Sequence, residues 1–252
     1  MVVFLTGASS GIGEALARHY AAQGATLGLV ARRADALQSL RQSFSAPVEI
    51  YAADVRDVPA MKAAAADFMV RHGIPDLVIA NAGVSHGTLT EQAEDVDVFR
   101  EILDINVTGM VATFHPFVAP MREAGRGTLA GIASVAGYRG LPGAGAYSAS
   151  KAAAIRYLES LRVELRGTGV RVATICPGYI ATPMTARNPY PMPFIIPADE
   201  FARRFARAMA GGKTHAVIPW QMGLVAKLLT ALPNALFDAA FARAGRKPRK
   251  SR

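Results

Sequence analysis

Apolar positions along the chain alternate between two rhythms. Short β-branched runs at residues 2–6, 26–31, 48–52, 77–80, 128–133, 170–176 and 216–218 predict strands. Between them lie stretches of helical period, among them 13–22, 59–71 and 146–166. In the last of these, Ile155, Leu158, Leu161 and Leu165 share one helix face. Strands separated by helices need crossover connections, so the pattern predicts an α/β domain with a parallel sheet covered on both faces. No internal repeat or linker interrupts it, and we read one domain: residues 1–219 as its body, residues 220–252 as a helical extension.

Two regions break the rhythm. Residues 177–197 contain six prolines and little periodicity, which predicts a loop or lid, centred on 184–198. Beyond Trp220, Leu224, Val225, Leu228, Leu229 and Leu232 form an apolar stripe, continued past Pro233 by Leu236, Phe237, Ala240 and Phe241.

Composition narrows the classes. Of 252 residues 51% are hydrophobic, ample for a large core. The single cysteine, Cys176, excludes an internal disulfide framework and fits a reducing compartment; with no second Cys or ligand cluster beside it, it reads as a core residue and no metal site is expected. No uninterrupted apolar run approaches the ~18 residues of a spanning helix, and no targeting segment precedes the first strand, so a cytoplasmic protein is expected. The net charge of +9 is uneven: Arg243, Arg246, Lys247, Arg249, Lys250 and Arg252 fall in the last ten residues. That marks a tail, not a basic binding face, and nucleic acid is not an expected partner.

The first strand ends in Thr6-Gly7-Ala8-Ser9-Ser10-Gly11-Ile12-Gly13, directly before a helical pattern. Glycines there permit a tight turn and close backbone approach to phosphate, and the helix start presents unpaired N–H groups. The spacing differs from the G-x-G-x-x-G dinucleotide pattern; its place between strand and helix gives the turn its meaning. After the second strand come Arg32 and Arg33, with no acidic residue before Asp35. An acidic residue there would hold an unphosphorylated ribose, whereas an arginine accommodates a 2′-phosphate, so NADP(H) is favoured over NAD(H), with Arg32 the first choice.

Further along stand Ser134 and the run Tyr147-Ser148-Ala149-Ser150-Lys151. On a helix, Tyr147 and Lys151 share a face. A free tyrosine, with a pKa of about 10, is a poor base at neutral pH; a nearby ammonium favours the phenolate and lowers that pKa. The Ser134 hydroxyl, at a strand end, is placed to hydrogen-bond a substrate oxygen.

Together, Thr6-Gly7-x3-Gly11-x-Gly13, Asp54, Asn81-Ala82-Gly83, Asn106, Ser134, Tyr147-x3-Lys151 and Pro177-Gly178 followed by Thr182 resemble the short-chain dehydrogenase/reductase family in its compact single-domain branch. The resemblance spans roughly residues 1–185. It implies a doubly wound Rossmann fold with seven parallel strands ordered 3-2-1-4-5-6-7, and hydride transfer between a nicotinamide and a carbonyl or alcohol. It implies that Tyr147 is the acid/base, that Lys151 holds the nicotinamide ribose and tunes Tyr147, that Ser134 orients the substrate oxygen, and that Asn106 helps hold a water linking Lys151 to solvent. It implies a cofactor site built from Gly7, Ser9, Ser10, Gly11, Ile12 and Gly13, from Arg32, Arg33, Asp54 and Val55, from Asn81, Ala82 and Gly83, and from Pro177, Gly178, Ile180 and Thr182 beside Tyr147 and Lys151. Asp54 would meet adenine, and Ile180 and Thr182 the nicotinamide amide. It also implies a homodimer or homotetramer.

For the substrate the sequence offers only the lid. Tyr190, Met192, Phe194, Ile195 and Ile196 would make an apolar wall, suiting a hydrophobic or lipid-like carbonyl or alcohol, or would simply pack the lid down. The extension with its basic tail has the physical character of a peripheral membrane anchor; the competing reading is an oligomer contact or a cover over the substrate pocket. A non-catalytic NADP(H)-binding regulator is the alternative function, disfavoured because Tyr147, Lys151, Ser134 and Asn106 are all retained. An epimerase or dehydratase on the same scaffold is disfavoured by the glycine spacing.

Overall fold

The computed structural model describes residues 1–242 and 244–250, leaving Arg243 and Arg252 of the basic tail outside the described residues. The strands in chain order are β1 (Val2–Thr6), β2 (Thr26–Ala31), β3 (Val48–Ala52), β4 (Leu77–Ala80), β5 (Thr128–Ile132), β6 (Arg171–Pro177), the two-residue β7 (Ile180–Ala181) and β8 (Ile196–Pro197), and β9 (His215–Ile218). Seven of them form one sheet in the order β3-β2-β1-β4-β5-β6-β9, every pairing parallel. This is the expected Rossmann architecture and strand order; the seventh strand is β9 only because the short β7–β8 pair intervenes.

Side chains alternate across each strand, so β1 feeds both faces. Val3 and Leu5 pack with α1 (Gly11–Ala22), α2 (Ala34–Gln42) and α7 (Ala198–Ala210) through Leu16, Leu37, Phe201 and Phe205. Phe4 points the other way, toward α3 (Val58–His72), α5 (Gly109–Ala124) and α6 (Gly145–Glu164), its ring 5.4 Å from Phe68 and 4.8 Å from Phe117. Burying each such ring is worth about 1.5–3 kcal/mol, which ties both helix layers to the central strand.

Helix α4 (Asp95–Leu103) runs into α5 through a π-helical turn, Asp104–Thr108. By length and composition the continuous stretch Asp95–Ala124 would suffice to cross a membrane, although no uninterrupted apolar run signals it. Half of its most apolar window is buried, with Phe114 and Phe117 fully enclosed, so the core accounts for its hydrophobicity.

The extension forms α8 (Gln221–Ala231) and α9 (Asn234–Phe241). The face that α8 buries is not centred on the expected stripe: Met222 and Ala226 are buried while Leu224 and Leu228 turn outward. Contact with the body explains the rotation, since Met222 lies so close to Gly178 that a Cβ there would meet its Cγ at 2.5 Å. Arg139 fastens the far end, donating to the carbonyls of Leu229 and Leu232 and to Asn234 Oδ1, with its guanidinium 4.2 Å from the Phe237 ring centroid. The tail then returns across the body. Lys247 reaches Ser85, Arg249 pairs with Glu94 and Asp95, and Lys250 with Glu101. These three tail cations thus have partners on the body of the same chain.

The lid leaves after β7 and returns at β8, whose pairing closes its base. Its expected apolar wall is incomplete: Phe194 and Ile195 are 51% and 42% exposed, Phe194 holding a positive φ of 57° that turns the chain outward. Tyr190, Met192 and Ile196 are half-buried.

Candidate active site

The sheet's strand order reverses between β1 and β4, and the cleft opens at the carboxyl ends of these strands, where such folds bind ligands. Gly7, Ser9, Ser10, Gly11 and Ile12 form one wall; Arg32, Arg33, Asp54 and Val55 another; Asn81, Ala82 and Gly83 the floor; Ser134, Tyr147 and Lys151 the far end; Pro177, Gly178, Ile180 and Thr182 the roof. Of the catalytic and cofactor-binding residues expected from the sequence, Gly13 and Asn106 do not line it, nor do the lid residues Tyr190, Met192, Phe194, Ile195 and Ile196.

Gly13 lies behind the turn, so close that a Cβ would fall 2.0 Å from the Gly7 carbonyl oxygen. Asn81 holds the same turn to β4, its side-chain amide donating to the carbonyls of Thr6 (3.0 Å) and Gly7 (3.2 Å). Ser10 makes no side-chain cap to α1, so the helix's first N–H groups are left for a ligand. These features fit a pyrophosphate cradle. Arg33, not Arg32, reaches the turn, donating to the Ser9 carbonyl (3.0 Å) and hydroxyl (3.2 Å). Asp54 is gripped by Arg56 at 2.7 Å, which holds its carboxyl below the usual range.

At the far end, Ser134 caps a short 3-10 turn, its Oγ accepting from the Ala136 N–H at 3.1 Å. That bond fixes the oxygen and leaves the hydroxyl proton to donate. Tyr147 and Lys151 descend from the first turns of α6. Lys151 Nζ donates to the Ile132 carbonyl at 2.8 Å and lies 5.8 Å from the Tyr147 ring centroid. The expected lowering of the Tyr147 pKa by this ammonium is not met. Burial pushes the phenol above its ordinary value, opposed by a hydrogen bond with Ser134, while Lys151 is itself drawn down by burial to about 8. The physical reason is that the ammonium lies against the ring and bonds a carbonyl.

Asn106 sits in the π-helical turn, fully buried. Its Oδ1 accepts from the Val84 N–H at 2.8 Å, and its amide donates to the Val84 carbonyl and to Ser150 Oγ. A Cβ on Gly83 would stand 3.1 Å from Asn106 Oδ1 and 3.6 Å from Lys151 Nζ, so both groups border one small space. Cys176 is buried in β6, as expected, with its thiol pushed up by burial to about 11.

Sequence reasoning missed three participants. Ser150, inside the Tyr147–Lys151 run, orients Asn106. Thr185 donates to the Ile180 carbonyl at 2.6 Å and steadies the roof. Lys247 brings a second ammonium to Tyr147, 5.6 Å from its ring centroid. The first was visible as a polar residue at helical spacing; the third had no local signal, being a hundred residues away.

A family model for short chain dehydrogenase matches residues 1–191. An oxidoreductase of Myxococcus xanthus, described as uncharacterized, is 41% identical over 242 residues, 95% of each chain. Among solved structures, a short chain dehydrogenase/reductase from Burkholderia phymatum in complex with NAD superposes with a TM-score of 0.82 at 24% identity, covering 99% of this chain and 98% of its own. L-Sorbose reductase from Gluconobacter frateurii, complexed with NADPH and L-sorbose, gives a TM-score of 0.75 at 26% identity over 86% of this chain and 95% of its own.

Proposed function

Since the chain belongs to the short-chain dehydrogenase/reductase family, oxidoreductases of alcohol and carbonyl groups, we propose that it is an NADPH-dependent carbonyl reductase with Tyr147 as its acid. One observation carries this reading: Ser134, Tyr147 and Lys151 converge at the end of the same cleft that begins at the glycine turn. When bound, the nicotinamide supplies the hydride in reduction and accepts it in oxidation. The chain's own residues handle the oxygen. Ser134, its Oγ fixed by Ala136, donates to the carbonyl oxygen, and Tyr147 delivers the proton that oxygen needs as negative charge develops on it. A phenol is protonated at neutral pH, and burial raises its pKa further, which suits it to that donation. That Lys151 and Asn106 border one space beside Gly83 supports a role for both in returning a proton toward Tyr147. Arg33 and Arg32, with no carboxylate at the end of β2, support a 2′-phosphate in preference to a bare ribose.

The half-buried part of the lid supports apolar carbon near the carbonyl, and the exposed Trp220, Leu224, Leu228 and Leu236 support assembly as a homodimer or homotetramer through α8 and α9. The test is NADPH oxidation across ketones and aldehydes graded by length and polarity, run with the unaltered protein and Tyr147→Phe. Turnover should fall by about 10²-fold or more in the variant, with NADPH affinity nearly unchanged. Comparable turnover in the two proteins overturns the acid assignment.

A further inference from the structure

The returning tail places one charged group that the reaction described above does not use. Its backbone passes in direct contact with the loop after β4: the Gly87 N–H donates to the Pro248 carbonyl at 2.8 Å, and a Cβ on Gly87 would fall 2.1 Å from the Lys247 carbonyl oxygen. Only glycine admits this approach. Arg249 then locks the strap, its guanidinium donating to both oxygens of Asp95, a residue only 4% exposed, and to Glu94. Lys250 ties down to Glu101.

Just ahead of these anchors, Lys247 points inward. Its Nζ donates to Ser85 Oγ at 2.7 Å and stands against the ring of Tyr147. Its tail neighbours Arg249 and Lys250 both have carboxylate partners; among the described residues no carboxylate forms an ion pair with Lys247. An ammonium has three donors, and Ser85 takes one. Holding a cation partly out of water without an opposite charge is costly, and burial accordingly draws Lys247 down to about 8. The carboxylate that lies near His86, Glu101, is already taken by Lys250. What this corner lacks is an anion, and it lies beside the group that handles the substrate oxygen.

We propose that Lys247, with Ser85, receives a carboxylate or another singly charged oxyanion carried by the substrate, whose carbonyl lies at Ser134 and Tyr147. The substrate class is thus an oxo acid, and Lys247 is a specificity-determining residue supplied by the tail. This rests on the carbonyl-reductase reading above and adds the other end of the molecule.

The experiment compares matched pairs, each an oxo-carboxylate and its carboxamide of equal length, with the full chain and NADPH. The ratio of kcat/KM for acid over amide should be about 10- to 100-fold in the unaltered protein, the worth of one charge-assisted hydrogen bond. It should collapse toward unity in Lys247→Met, through KM, and persist in Lys247→Arg. Because the ratio is internal to each protein, partial misfolding cancels. A ratio near unity in the unaltered protein, or one unchanged in Lys247→Met, overturns the proposal while leaving the reductase reading standing. A plug-like strap would instead raise turnover of acid and amide alike in Lys247→Met, and would also overturn it. A readout without turnover separates the two readings: acetylation of Lys247 by an activated ester, followed by mass spectrometry. Slowing by the oxo-carboxylate but not by the carboxamide supports the site even if no carbonyl is reduced; equal effects refute it.

Discussion

Asn81 offers the sharpest physical test of how the cleft is held. Its side-chain amide donates at 3.0 Å and 3.2 Å to the carbonyls of Thr6 and Gly7, joining the end of β4 to the glycine turn. Replacing it by alanine leaves both oxygens without that donor. At roughly 0.5–1.5 kcal/mol net for each bond, Asn81→Ala should cost about 1–3 kcal/mol. For a chain of this size that is a fall in Tm of roughly 2–4 °C per kcal/mol, and NADPH affinity should weaken as the turn loosens. Asn81→Asp should be worse near neutral pH, because a carboxylate oxygen then faces carbonyl oxygens. Those oxygens disfavour the ionised form, so the aspartate's pKa in the folded state rises above its unfolded value. The sign follows: the folded state binds more protons between the two values, so the variant loses stability as pH rises through that window and regains it on acidification, when the proton restores a donor. Chemical denaturation at several pH values, beside NADPH titration, reads both effects. An Asn81→Asp protein as stable as the unaltered one, or one tracking Asn81→Ala at every pH, would refute the reasoning.

Three further outcomes follow from the geometry. Arg33→Ala should weaken NADPH binding by about 10-fold or more while leaving NADH binding nearly unchanged, with Arg32→Ala a smaller version of the same; equal losses for both cofactors in calorimetry contradict the phosphate reading. Burial draws Lys151 from 10.5 to about 8, so the unfolded chain binds more protons between those values and stability should rise with pH across that window, the full burial cost being present below it. Lys151→Met should lessen that rise in denaturation curves, leaving the part that Lys247 contributes with the same sign. Arg139→Ala releases the carbonyls of Leu229 and Leu232, and hydrogen exchange in residues 221–241 should quicken about tenfold or more while the sheet stays protected.

The sheet was legible because each strand's rhythm is written in consecutive residues: β1 through β4 begin and end where the apolar runs do. The glycine turn and the Tyr147–Lys151 run were legible for the same reason, as short segments whose spacing is itself the geometry. What the sequence concealed depends on contacts between distant segments. The outward turn of Leu224 and Leu228 is decided by Met222 meeting Gly178, which no periodicity in α8 encodes. The tail's composition announced charge but not direction, since Arg249 finds Asp95 only after the chain has closed on itself. The choice of Arg33 over Arg32 at the turn is a matter of which side chain leaves β2 toward Ser9, beyond the reach of residue type alone.

The π-helical turn at Asp104–Thr108 has a consequence for insertions and deletions. An α-helix advances about 100° per residue, so one residue more or less rotates everything beyond it by that angle. Upstream, Ile102 of α4 is committed to the interior; downstream, α5 must present Phe114 and Phe117 to the core. The wide turn is the place where these two phases are reconciled, with Asn106 inside it fastened to Val84 and Ser150. Trimming one residue to make the helix regular would therefore force a choice: keep the amide's bonds and swing Phe114 and Phe117 out of the core, or keep the rings and tear the amide loose. Length here is as strictly set as residue identity.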